Sequence, residues 1–388
     1  MTLHTAVKRP SVLIYFLGFL LGLHIALPTY VASTFLGQFM PEKFIGWIYV
    51  FSSALTITAF AILPRLMRRF GNIKIATTTL LLSISGAVIM ALLKAPLLVV
   101  GAFILSYLSA TVVAFVYDVF VEHVSSDMVT GEIRGSFLVS INTAFVLSQP
   151  LAGFLITDDY FGTVFLASAA SAIILLVLTI FIFKKFKDSR YHEVPIIKIL
   201  KTVRRHKAVM EIFTLDFLLR FFYSWMVIYM PIYLHNHIGF EWKEITLMFG
   251  IMLLPFILDQ RPLGRIADRW LGEKELLIAG FIIMAFTTSA MSFLVGAGFL
   301  VWTSVLFASR IGASTVEIMT ESYFFKHVSD RDVSLISFFR TTRPWAYLVG
   351  PAIATLLLPF IGIQYLFLVL GMLMLYGALR TLSLKDTK

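Results

Sequence analysis

The chain has 388 residues, 59% of them hydrophobic and only 14% charged, with a net charge of +10 and no cysteine. A soluble domain carries about 25% charged residues, so water is not the main solvent for this surface. The lack of cysteine excludes a disulfide framework and cysteine-based metal or nucleophile chemistry. The basic residues are scattered through short loops rather than set along one polar face, which excludes a nucleic-acid surface.

The first apolar run, Ser11 to Phe35, is too long for the apolar region of a signal peptide and lacks a small-residue cleavage site. It reads as a first membrane span. Windows with the ~20 apolar residues that a spanning helix needs recur near 44–66, 73–93, 96–121, 135–156, 161–183, 209–234, 244–260, 275–296, 298–325, 333–358 and 361–381. The eighth is weakened by Asp259 and Arg261. The breaks carry turn chemistry, as at Met40-Pro41-Glu42-Lys43, Lys94-Ala95-Pro96 and Asp158-Asp159. The expected fold class is therefore an all-α integral membrane protein of twelve transmembrane helices.

Loop charge sets its orientation. One side collects Lys8, Arg9, Arg65, Arg68, Arg69, Lys74, Arg134, the basic stretch from Lys184 to Lys207, Arg265, Arg269, Lys274, Lys326, Arg331, Arg380, Lys385 and Lys388. The other side has Lys43, Lys94 and Lys243. Both termini are thus expected in the cytoplasm, and the location is a cell membrane, inner or plasma.

Compared with itself at an offset of about 200 residues, the sequence repeats. Pro64-Arg65-Leu66-Met67-Arg68-Arg69-Phe70-Gly71 aligns with Gly264-Arg265-Ile266-Ala267-Asp268-Arg269-Trp270-Leu271-Gly272 with one insertion. Glu122-His123-Val124-Ser125 aligns with Lys326-His327-Val328-Ser329, Pro150 with Pro351, and Gly162 with Gly362. Four matches in one order divide the chain into a six-helix bundle at 1–183, a linker at 184–208 and a second six-helix bundle at 209–388. Val194, Ile196, Ile197, Ile199 and Leu200, set among basic residues, predict an interfacial amphipathic helix in the linker.

Gly-x-x-x-Asp-Arg-x-x-Gly after the eighth span, with a degenerate copy after the second, resembles the cytoplasmic-loop signature of the major facilitator superfamily. The resemblance in architecture covers the whole chain. It implies two six-helix bundles, related by a pseudo-two-fold axis, around a central cavity that opens to each side in turn. It also implies a cytoplasmic gate formed by Gly264, Asp268, Arg269 and Gly272 and, from the first copy, by Arg65, Arg69 and Gly71. The first copy departs from the pattern, with Pro64 for the leading glycine and Arg68 for the aspartate. Gln149-Pro150-Leu151-Ala152-Gly153 matches the Gly-rich fifth helix of drug antiporters only in part.

Ionisable groups inside spans are costly and usually face a cavity or one another. Counting rise from the cytoplasmic ends places Arg220, Asp259, Glu317 and Arg343 at a depth of ~13–16 Å, and Asp216, Glu321 and Arg340 at ~9–11 Å. Arg310 lies deeper. The first half offers only His24 and Asp118. Asp216 and Arg220 are spaced to pair on one helix face, and antiparallel spans ten and eleven are expected to pair Glu317 with Arg343 and Glu321 with Arg340. These groups are either structural ion pairs or a coupling site. For proton coupling the order of candidates begins with Glu317, then Asp118, with Glu321, Asp216 and Asp259 behind them.

Candidate substrate contacts are His24, Asn142, Gln149, Arg220, Tyr223, Trp225, Arg310, Arg343 and Trp345. Aromatic residues on helix seven line the cavity in the resembling family, although packing accounts for most such rings. The expected function is secondary active transport of a small organic solute, coupled to protons, with symport of a polar or anionic metabolite favoured. Alternatives are export of amphipathic drug-like compounds, lipid flipping, or a non-transporting sensor on the same fold. No Gly-x-Ser-x-Gly, His-Glu-x-x-His or phosphate loop occurs, so an enzyme is not expected. Neither a cofactor nor a metal is implied. The expected partners are the solute, protons and the lipid bilayer, and the chain is expected to be monomeric.

Overall fold

The computed structural model describes residues 10–124, 130–184, 186, 207–327, 335, 339 and 341–384. Helices dominate it: α1 (Pro10–Thr29, continued by a short Ala32–Gly37 turn), α2 (Glu42–Phe70), α3 (Asn72–Leu92), α4 (Pro96–Val124), α5 (Thr130–Leu155) and α6 (Gly162–Ile182). Then follow α7 (Lys207–Ile232, carried on as a π-helix over Tyr233–Ile238), a broken α8, α9 (Glu273–Met291), α10 (Phe299–His327), α11 (Thr342–Leu357) and α12 (Ile363–Thr381). Ten of these stretches are long and apolar enough to cross a membrane. The other two expected spans are the fragmented α8 and the sixteen-residue α11.

Sequence explains each stop. Pro96 opens α4, where its missing N–H belongs to the unpaired first turn. Between α5 and α6, Asp158 and Asp159 both adopt positive φ, at 50° and 54°, and Tyr160 N–H donates to Thr157 O at 2.9 Å. That is the geometry of a type I′ turn, which aspartate tolerates because its short side chain accepts the left-handed region. Gly71 (φ 82°) and Gly272 (φ 83°) make the same bend before α3 and α9, a conformation open to glycine without steric cost.

Broken α8 consists of Trp242–Met252, Pro255–Leu258 and Gln260–Ile266, then a π-turn over Ala267–Leu271. Pro255 cannot donate to the ladder. Around it the bonds tighten to one residue less, Leu253 N–H to Gly250 O and Leu254 N–H to Ile251 O.

The helices gather into two compact units. One holds the residues up to Met40 with those from Thr58 through α6; the other holds Pro41–Ile57 with α7 to α12. The sequence repeat puts Pro41–Ile57 with the first bundle, whereas by contact this half of α2 groups with the second unit. Gly46 makes that approach possible: a Cβ there would fall 2.0 Å from Thr355 Oγ1 and 2.5 Å from the Tyr229 hydroxyl. At the helix start Glu42 takes a hydrogen bond from Asn236 Nδ2 (2.6 Å) and lies 3.3 Å from His237 Nε2.

Inside each unit the packing follows one scheme. In the first, α1 packs on α5 and α6, and α3 on α4 and α6; in the second, α7 packs on α11 and α12, and α9 on α10 and α12. The same packing scheme thus recurs in the two units for the five helices named in each. The predicted linker helix and Arg340 lie outside the described residues, as do the side chains of Arg134, Arg261 and Asp268.

Candidate functional site

The site grows from α7. Asp216, Arg220 and Tyr223 recur at i, i+4 and i+7, so they share one face of that helix. On α10, Arg310, Ser314, Glu317 and Glu321 recur at i, i+4, i+7 and i+11 and share another. The two helices pack together within the second unit. Most of the apolar stretch of α7 is buried, 83% of its residues, and Asp216 on this face is 1% exposed.

Where the faces meet, Arg220 Nη1 donates to Glu317 Oε1 at 2.7 Å, and the Tyr223 hydroxyl donates to Glu317 Oε2 at 3.0 Å. Both oxygens of Glu317 are thereby held from α7. Arg220 Nε also lies 3.3 Å from Asp216 Oδ1, an ion pair whose N–H is not aligned for a hydrogen bond. Thr342, at the start of α11, places its hydroxyl on the other Asp216 oxygen. One guanidinium thus serves two carboxylates. Asp216 is 1% exposed, while the Glu317 side chain keeps 27%. Of the two, Glu317 is the one that solvent can reach.

Other candidates fall around this centre. Arg310 is enclosed, its Cζ 5.0 Å from the Phe222 ring centroid and 5.7 Å from that of Tyr223. Asp259 sits at the break in α8, half-buried, with Ser314 Oγ at 3.1 Å from its Oδ2. Glu321 is exposed and Asp118 half-buried on α4; each is engaged with a neighbour, so Asp118 is not electrostatically isolated in its apolar run. Asn142 is half-buried on α5.

Several expected contacts are placed differently in the structure. Glu317 pairs with Arg220, not Arg343; Arg343 is exposed and lies 5.8 Å from the Tyr347 ring on its own helix. Depth along a helix had matched Glu317 with Arg343, but rotation about the helix axis turns Arg343 away. His24 does not line a space. It is 2% exposed, with Nε2 2.8 Å from Ser83 Oγ and Nδ1 2.9 Å from Ser168 Oγ, and the Ser168 hydroxyl donates back to His24 O. Its ring ties α1 to α3 and α6. Trp225, fully buried, donates Nε1–H to Gly350 O at 2.7 Å and packs on Phe221 and Tyr229, so it joins α7 to α11. Gln149, also enclosed, donates to Ala26 O and links α5 to α1. Trp345 is exposed.

At the loop motifs, Arg65, Arg69 and Arg269 are exposed, Gly264 is half-buried, and Gly71 and Gly272 form the bends. Immediately after Gly272, Glu273 is wholly enclosed; Ser322 Oγ donates to its Oε1 at 3.0 Å, and Lys326 pairs with the same oxygen. This tether from α9 to the end of α10 was missed in the sequence. Its one signal was an acidic residue in the first turn of a helix. Likewise missed were Thr342 on Asp216 and the two serines on His24, since Ser and Thr are too common in spans to stand out.

Comparison with solved structures gives matches along nearly the whole chain. A crystal structure of a D-xylose-proton symporter superposes with a TM-score of 0.77 at 12% identity, covering 98% of this chain and 99% of that one. A crystal structure of a POT family transporter in complex with a thioalcohol-conjugated peptide superposes with a TM-score of 0.75 at 13% identity, covering 96% and 95%. At such identities the likeness is one of fold. A comparison with curated proteins finds no match. The sequence profile of the Major Facilitator Superfamily matches residues 11–331, more than half of the chain. With that match and a helical fold whose two units share one packing scheme, the chain belongs to the Major Facilitator Superfamily of membrane transporters.

Proposed function

We propose that the protein is a proton-coupled secondary transporter that moves a small polar or anionic organic solute across the cell membrane by alternating access, with Glu317 carrying the proton. The observation that carries this reading is Glu317 itself, held by Arg220 and Tyr223 yet still partly exposed. Protonation would cancel its charge and leave Arg220 to Asp216 alone, since one guanidinium here serves two carboxylates. Both the loosened Tyr223 and the re-paired Arg220 lie on α7, so the proton would change how α7 and α10 are held together. The fold shared with a D-xylose-proton symporter supports the reading. The chain is expected to act as a monomer with its termini in the cytoplasm.

The test is uptake by the purified protein in proteoliposomes, using solutes found by a thermal-shift screen, with and without an imposed pH gradient. Gradient-driven accumulation is expected. Uptake indifferent to the gradient would sink proton coupling. A folded Glu317→Gln protein that still couples normally would move the proton to Asp216, Glu321, Asp259 or Asp118.

A further inference from the structure

Arg310 has no use in the network above. Its guanidinium is 1% exposed, and among the described residues none of its three nitrogens has a hydrogen-bond partner. Arginine keeps its charge at every physiological pH and offers five N–H donors in a fixed plane. Its Cζ lies over two aromatic rings, those of Phe222 and Tyr223. A ring face attracts a cation but accepts no hydrogen bond in the guanidinium plane, and it returns far less than the water given up on burial. Neither Glu317, which accepts from Arg220 and Tyr223, nor Asp259, which accepts from Ser314, hydrogen-bonds Arg310. A buried cation with every donor unmet is matched by one kind of ligand, a planar or tetrahedral oxyanion that accepts two parallel bonds.

We propose that Arg310 binds an oxyanionic group of the transported solute, a carboxylate, sulfonate or phosphate, with Phe222 and Tyr223 holding the guanidinium in place. The proposal rests on the transport reading and narrows its substrate class to anions. Arg310 lies seven residues before Glu317 on the same face of α10, about 10 Å along the axis. Tyr223 spans that distance, its ring on Arg310 and its hydroxyl on Glu317. An anion drawing Arg310 off the ring would therefore disturb the hydrogen bond to the proton carrier. A free solute is favoured over a lipid headgroup because α7, which supplies both rings, is the most buried of the ten membrane-length helices among the described residues.

The experiment uses full-length protein in phosphatidylcholine nanodiscs and reads thermal unfolding. Probes are succinate, benzoate, methanesulfonate and inorganic phosphate, with succinamide, benzamide and dimethyl sulfone as uncharged counterparts at equal ionic strength. At least one anion should raise the unfolding temperature by several degrees while its counterpart does not. The shift should vanish in Arg310→Met and persist in part in Arg310→Lys. Without anion, Arg310→Met should unfold no earlier than the parent, because no hydrogen bond is lost.

The proposal is overturned if no anion shifts the parent, if the shift survives in Arg310→Met, or if Arg310→Met is strongly destabilised. Nanodiscs containing phosphatidylglycerol separate the sources. Stabilisation saturated by that lipid alone would assign Arg310 to a headgroup and overturn the solute. Gradient-driven uptake of an uncharged solute, with no response to anions, would remove this proposal and leave the transport reading standing.

Discussion

Glu317 accepts from two donors on α7, and the consequences of removing each partner differ. Arg220→Ala leaves two carboxylates, one of them wholly buried, without their cation. Breaking a buried pair in this way costs about 3–5 kcal/mol, so this variant should show a large fall in unfolding temperature. Glu317→Gln is milder, because the amide oxygen still accepts from Arg220. It should fold, lose accumulation driven by a pH gradient and keep solute counterflow, which needs no net proton movement. His24 offers the opposite case. His24→Ala removes the Nε2 bond to Ser83 and the Nδ1 bond shared between Ser168 Oγ and O, both between α1 and its neighbours. Interhelical bonds in membranes average about 0.6 kcal/mol and reach ~1.7, so a loss of about 2 kcal/mol is expected with KM for transport unchanged. Unfolding scans beside uptake kinetics decide it; an altered KM at full stability would restore His24 as a substrate contact.

Among elements, the first half of α2 is the informative one, since it packs with α7 and α11 rather than with the bundle its sequence belongs to. Any side chain at Gly46 must displace Thr355 or Tyr229. Gly46→Val should therefore lift α2 from α11 and expose Thr355, which is 7% exposed in the native contact. The chain has no cysteine, so a Thr355→Cys reporter is unambiguous; its maleimide labelling should rise severalfold in the Gly46→Val background, and equal labelling would refute the contact. Glu42 and His237 beside it are both well exposed. Surface pairs are worth about 0–1 kcal/mol, so Glu42→Gln should change little in unfolding scans. Broken α8 was foreshadowed by Asp259 and Arg261, yet the break begins earlier, at Pro255, where the missing N–H shortens the bonding pattern.

For the whole molecule, the two units share a packing scheme but not a chemistry. The second carries the Asp216–Arg220–Glu317–Tyr223 network and Arg310, while the first uses His24 and Gln149 to tie helices together. Coupling is therefore expected to depend on the second unit. Exchanging Asp118 for Asn in the first should leave the pH dependence of uptake intact, whereas Glu317→Gln should flatten it, both read as initial rates across external pH in proteoliposomes.

Sequence by itself determined most of the spans, the breaks between them and how far along its helix each ionisable residue lies. All of these follow from one-dimensional quantities: the length of an apolar run, the places where Pro, Gly and Asp stop a helix, and the rise per residue that sets depth. Tertiary structure decided which charges meet. Glu317 and Arg343 share a depth, but Arg343 is exposed and Arg220 takes the carboxylate. Helix rotation is set by how neighbouring helices pack, and no local pattern encodes it. The same reason moved His24 and Trp225 into helix contacts and left Arg310 enclosed against two rings.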